Sequence, residues 1–231
     1  AVVVNPLANT DCNAPEEHTR QWQKEMFEMI DRLRFYPCIT TWVVFNERWG
    51  QHNTVEIVNK VIKYDDTRLI NGVTGWTDRG VGDMYDVHNY PVTSMILPEN
   101  NGNRISVLGE FGGYGWAIKE HIWNPNMRNW GYKNIDGAMA LIDSYGRLVY
   151  DLETLIAQGL SAAVYTQTTD VEGEVNGLIT YDRKVTKIPE GLLHLMHNRL
   201  YEITPAKAVT LIADGQNGSK NTRLVSLNGQ E

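Results

Sequence analysis

Two glutamates stand where apolar runs stop. Glu47 ends the run Ile39-Thr40-Thr41-Trp42-Val43-Val44-Phe45-Asn46-Glu47. Glu110 lies in Ile105-Ser106-Val107-Leu108-Gly109-Glu110-Phe111-Gly112-Gly113. Both runs are rich in β-branched and aromatic residues and predict buried strands that finish on a carboxylate. Strand packing gives no reason for a glutamate at the tip. In a parallel β/α barrel the C-terminal strand ends form the active face. Two carboxylates facing each other there could cleave a glycosidic bond, one giving a proton and the other attacking carbon.

The elements that would position these carboxylates follow a helix-strand order. Residues 16–35 carry a helical pattern with Trp22, Met26, Phe27, Met29, Ile30 and Leu33 on one side, ended by Tyr36-Pro37. The first glutamate strand follows at 39–46. Asn53 or Thr54 can cap a second helix through about Asp65, with Val55, Val58, Val61 and Ile62 apolar. A short strand at 68–71 leads into a glycine-rich loop. Asp86-Val87-His88-Asn89-Tyr90-Pro91 reads as another strand opening into a turn. The second glutamate strand covers 105–110, and a tryptophan-bearing loop runs from 111 to 132. A helix at about 135–158 stops at Gly159, a strand spans 162–167, and a last helix covers 188–200. Val2–Val4 is a possible further strand. The segment 204–231, with one apolar stretch at 208–213, reads as a linker or the start of a further β domain.

This alternation predicts an α/β fold with a parallel sheet. The fold class is a (β/α)8 barrel, truncated at its N-terminal side, occupying 1–203. A doubly wound open sheet is the rival, but no glycine-rich phosphate loop follows a first strand. The hydrophobic fraction of 42% in 231 residues is ample for a core. A net charge of −7 argues against nucleic acid or an anionic membrane surface as partner. No apolar run approaches the ~18 residues of a membrane span. Seven Trp and eleven Tyr suit stacking on sugar faces, or an aromatic-rich core. Cys12 and Cys38 have no metal-ligand spacing and favour free thiols over a bridge. The chain starts at Ala1, without an initiator Met or signal peptide, and so reads as a piece of a longer protein.

Four stretches together resemble the catalytic domain of glycoside hydrolase family 2, the β-galactosidase, β-mannosidase and β-glucuronidase group. They are Trp42–Gln51, Asp86–Pro91, Gly109–Gly113, and Tyr165–Glu172 continuing through Asn176-Gly177-Leu178 to Tyr181-Asp182-Arg183. The likeness spans about residues 15–200. It implies a retaining β-glycosidase with Glu47 as acid/base closing strand four and Glu110 as nucleophile closing strand seven. Glu110 follows Glu47 by 63 positions, which leaves room for two further units. The resemblance also implies that strands one, two and most of three, and β-sandwich domains ahead of the barrel, lie outside this sequence. Without them the piece is expected to be poorly soluble or inactive.

By resemblance, Asn46 binds the sugar 2-hydroxyl and Tyr90 orients the nucleophile. Because strand side chains alternate, Asn46 and Glu47 reach one site only if the strand end twists or bulges. His88 could line the subsite or be a core histidine. Gln167, Asp170 and Glu172 could bind hydroxyls, or could cap loops through Asn176 and Arg183. Among the loop aromatics Trp49, Trp76, Trp116 and Trp123, Trp76 and Trp116 are the candidate sugar platforms. No histidine has a metal-ligand partner at useful spacing, so neither a catalytic metal nor any other cofactor is expected. The expected partner is a carbohydrate, and a secreted or periplasmic setting follows by resemblance. The alternatives are a carbohydrate-binding protein on the same barrel without turnover, and a β-mannanase-like hydrolase.

Overall fold

The computed structural model describes residues 11–47 and 50–205. The Val2–Val4 strand, Arg48, Trp49 and the 208–213 stretch lie outside the described residues. The front region begins with α1 (Glu16–Leu33), strand β1 (Thr41–Phe45), α2 (Thr54–Tyr64) and β2 (Leu69–Val73). The back region holds β3 (Met84–Asn89), β4 (Ile105–Gly112), the short β5 (Tyr114–Gly115) and β6 (Lys133–Asn134), α3 (Ala138–Ala157), β7 (Ala162–Thr166) and α4 (Glu190–Leu200).

In the front region, α1 turns Met26 and Ile30 inward, while Met29 at the edge of that stripe stays exposed. Glu16 and Glu17 sit in its first turn, where the helix dipole favours negative charge. Helix α2 buries Ile57, Val58 and Val61, and leaves Val55 exposed. These side chains pack on Trp42, Val44 and Phe45 of β1 and on Ile70 and Val73 of β2. The cap of α2 differs from expectation. Asn53 makes no side-chain cap bond; instead Asp11, distant in sequence, accepts from the Thr54 amide at 2.8 Å and the Thr54 hydroxyl at 2.7 Å.

β1 and β2 pair in parallel, as do β3, β4 and β7 in that order. The two sheets meet where the Asp83 amide donates to the Ile70 carbonyl at 2.7 Å. The result is α/β with parallel sheets that do not close on themselves, so the described residues do not form a complete barrel. The helix-strand alternation also lapses. Between β2 and β4 there is no α-helix, only a 3-10 turn at Pro98–Asn100. The connecting segments are rich in Gly, Pro and Asn, with no apolar helical period to bury.

β4 continues two residues beyond Glu110, so this glutamate lies within its strand. β4 is also out of step with both neighbours, between Val87 and His88 of β3 and between its own Leu108 and Phe111 against β7. Helix α3 starts later than its pattern suggests because Lys133–Asn134 pairs with β5. It ends as expected at Gly159, which takes a left-handed φ of 111°. The Gly159 and Leu160 amides bond back to Ile156 and Leu155, both at 2.9 Å. Helix α3 joins Leu108 and Phe111 in one core through Leu141, Tyr145, Leu148 and Leu152, and Leu193, Met196 and Leu200 of α4 pack against it. Cys12 and Cys38 are free thiols, as expected. Among the described residues no helix is long and apolar enough to cross a membrane.

Candidate active site

Glu47 follows β1 by two residues, after the buried Phe45 has anchored the strand end. Its side chain is mostly covered and its Oε1 lies 2.8 Å from His88 Nδ1. Gly75 makes this approach possible. It holds φ at 105°, and a Cβ there would stand 3.0 Å from Glu47 Cγ and 3.2 Å from His88 Nδ1.

His88 is the hub. Its side chain is fully buried. One ring nitrogen, Nε2, is 2.6 Å from Thr74 Oγ1, and the other faces both glutamates. Nδ1 is 3.4 Å from Glu110 Oε2 as well as 2.8 Å from Glu47. Toward two ionised carboxylate oxygens this nitrogen can bond only as an N–H donor. His88 thus ties together carboxylates from the two sheets.

Tyr90 holds Glu110 from the other side. Its hydroxyl donates to Glu110 Oε2 and lies 2.9 Å from Thr166 Oγ1 at the end of β7. Burial, together with the adjacent Glu110 charge, pushes the Tyr90 hydroxyl far above its ordinary range, so it remains a donor. The Tyr90 ring stacks on Tyr132 at 3.6 Å with a 5° interplanar angle. Tyr132 is also shifted upward, by burial first and then by Glu174, with Glu47 and Glu110 adding to it.

Of the other sequence candidates, Trp76 is beside the hub. Its indole N–H donates to the His88 carbonyl at 3.3 Å, and 53% of the residue is exposed. It lines a cavity of about 440 Å³ with Gly75, Asp78, Tyr85 and Ser94. Asn46 lies past the end of β1 and is exposed, and its carbonyl accepts from Gln51 at 3.3 Å. Gln167 serves the following loop. Its amide group donates to Asn176 Oδ1 at 2.9 Å, and its carbonyl accepts from the Leu178 amide. Asp170 pairs with the buried Lys187 at 2.7 Å and accepts from the Gly177 amide. Glu172 sits at a left-handed turn position. Trp116 packs against the back core and lines a different cavity, of about 210 Å³, with Ile135 and Val175. Neither of these two cavities is lined by Glu47 or Glu110, but the larger one is lined by His88.

Sequence reasoning missed Thr74, Asp86, Tyr132 and Thr166. The alternation Asp86-x-His88-x-Tyr90 could have exposed Asp86, because it places three polar groups on one strand face. Tyr132 comes from a long loop and carries no local signal. Sequence spacing offered His88 no metal-ligand partner, yet the fold supplies two carboxylates beside it. Donor atoms of Glu47, His88 and Glu110 lie within 4.8 Å of one another, a grouping that could hold a metal ion. Positions 47, 88 and 110 have no ligand spacing in sequence; folding alone brings them together.

No family model and no curated protein matches this chain. Among solved structures, the chain is similar in fold to the β-glucuronidase of Parabacteroides merdae, solved with glycerol in its active site. The TM-score is 0.51 at 15% sequence identity, covering 75% of this chain. The chain spans 26% of that protein's length. The fold is therefore like part of a glycoside hydrolase.

Proposed function

We propose that this chain is part of a retaining β-glycosidase of the family 2 kind, supplying the portion of the barrel that bears both catalytic carboxylates. One observation carries the reading. Oxygens of Glu47 and Glu110 approach within 4.8 Å of each other around His88 Nδ1. Retaining glycosidases hold their carboxyl groups about 5–5.5 Å apart, whereas inverting enzymes leave room for a water at about 6.5–9.5 Å. The similarity in fold to part of a β-glucuronidase supports the reading independently.

In this reading Glu110 attacks the anomeric carbon while Glu47 protonates the departing oxygen. The glycosyl–Glu110 ester is then hydrolysed by a water that Glu47 deprotonates. Tyr90 and His88 orient the nucleophile. His88 also orients Glu47, and Trp76 offers an exposed ring beside them for the sugar. The reaction needs no cofactor.

The test is incubation of the full-length protein that contains this chain with a panel of 2-deoxy-2-fluoro β-glycosides bearing galactose, glucose, mannose or glucuronic acid, followed by peptide mass spectrometry. A stable adduct on the Glu110 peptide is expected, and the sugar that labels identifies the glycone. A folded protein that takes no label, or takes it on another acid, overturns the assignment.

A further inference from the structure

Glu110 faces the site only because β4 carries an extra residue. From Val87 to His88, β3 advances one position while β4 advances two, from Leu108 to Glu110. On the other edge, β4 goes from Leu108 to Phe111 while β7 goes only from Ala163 to Tyr165. Leu108 and Phe111 are three apart, yet both are buried in the same helix-covered cluster. In an unbroken strand, residues three apart point to opposite faces and residues two apart to the same face. Regular pairing would therefore turn Glu110 toward the same apolar layer as Leu108. The bulge at Gly109 resets the alternation and sends Glu110 to the face of His88 and Tyr90.

A buried carboxylate occupies that bulge. Asp86, 3% exposed, accepts from the Gly109 amide through Oδ1 at 2.7 Å. Its Oδ2 accepts from Asn71 Nδ2 at 2.6 Å. The carboxylate fills the space where residue 109 would carry a side chain: a Cβ there would lie 2.3–2.6 Å from the Asp86 carboxyl atoms. Gly109 and Asp86 are thus a matched pair, one lacking a side chain where the other ends. Burial pushes the Asp86 carboxyl upward against its hydrogen bonds with Thr74, Asn71 and Gly109, so holding it there has a cost.

We propose that Asp86 is a positioning residue that clamps the β4 bulge and thereby aims Glu110 at the substrate. Its kinetic consequence rests on the glycosidase reading; its geometry does not. Asp86→Ala removes the acceptor for the Gly109 amide. A displacement of the nucleophile by about 1 Å lowers kcat on the order of 100-fold. KM should stay within about twofold, since the sugar contacts persist. Asp86→Asn keeps an acceptor for the Gly109 amide. Its new amide group can be met by Asn71, whose Oδ1 is buried without a partner. It should therefore restore kcat to within about tenfold. A residue needed only for folding would not separate kcat from KM in this way. If Asp86→Ala does not fold, Gly109→Ala applies the same disturbance from the other side and should give the same kcat-selective loss.

Hydrogen exchange of the Gly109 amide, followed by NMR, supplies a readout independent of turnover. Protection should be lost in Asp86→Ala and retained in Asp86→Asn. If the full-length protein that contains this chain cleaves no glycoside, the glycosidase reading fails while the amide exchange still decides the clamp. A Gly109 amide that stays protected in Asp86→Ala, or a kcat within about threefold of the unsubstituted chain, overturns the proposal.

Discussion

The front and back regions deliver a carboxylate to the same histidine by different means. In front, β1 and β2 pair without a register shift from Thr41↔Leu69 to Phe45↔Val73. Glu47 is reached simply by running past the strand end. At the back, Glu110 lies inside β4 and is turned inward by a bulge shared with both neighbouring strands. A regular strand leaves its functional residue to the freedom of a loop, here constrained by Gly75 and His88. An irregular strand fixes the residue through backbone geometry, at the cost of burying a carboxylate against neutral donors. Glu110, the nucleophile of the proposed reading, is the one of the two set by strand pairing.

The sharpest way to break the comparison is to remove each carboxylate. Glu110→Ala should abolish hydrolysis, a loss on the order of 10⁵-fold in kcat. Glu47→Gln should cost about 10²–10⁴-fold for a sugar leaving group, which needs a proton. The cost of bond cleavage should be much smaller for a dinitrophenyl leaving group, which does not need one. Steady-state and burst kinetics on both substrate types check this. Equal losses at both sites on both substrates would erase the division of roles.

A smaller effect separates mounting from packing. Gly72 lies in β2, and a Cβ there would stand 2.6 Å from the Val81 carbonyl and 3.3 Å from Val58 Cγ1. Gly72→Ala should therefore destabilise the front region by about 1–3 kcal/mol in denaturant unfolding. The kcat of the folded fraction should not change, in contrast to Gly109→Ala.

The smallest expected effects lie in pH dependence, where two buried aspartates differ in sign. Asp65 in front is 4% exposed. Burial opposes its charge, but bonds from Thr67 and from Trp42 Nε1 at 2.8 Å, with the Arg68 guanidinium beside it, hold the carboxyl below its usual value. Its contribution is present above the unfolded value near 3.8 and is lost as pH falls through the lower folded value. Asp86, at 3% exposure, is shifted upward. Its ionisation costs stability as pH rises from 3.8 through the raised folded value. Stability measured across the acid range should fall less steeply toward low pH in Asp65→Asn than in the unsubstituted chain. Asp86→Asn should gain on the unsubstituted chain as pH rises. Parallel curves for all three would remove the electrostatic distinction between the regions.

The sequence by itself determined the long helices, the parallel character of the strands, and the two glutamates as the residues that packing does not explain. These are local signals. Apolar periodicity places Ile30, Val58 and Val61 inward, and Gly159 ends α3 because it accepts a left-handed φ. The cap of α2 was not legible, because Asp11 reaches Thr54 across 43 residues. The missing helix between β2 and β4 was legible only as an absence of period. The tertiary structure decided which groups meet at the site. His88 between the glutamates, Tyr132 stacked on Tyr90 and Asp86 in the bulge join positions far apart in the chain. Whether Glu110 faces His88 and Tyr90 or the core depends on one extra residue in the strand. A run of apolar residues reads the same with or without that residue. Its effect appears only when β3 and β7 fix the register on either side and Asp86 fills the space beside Gly109.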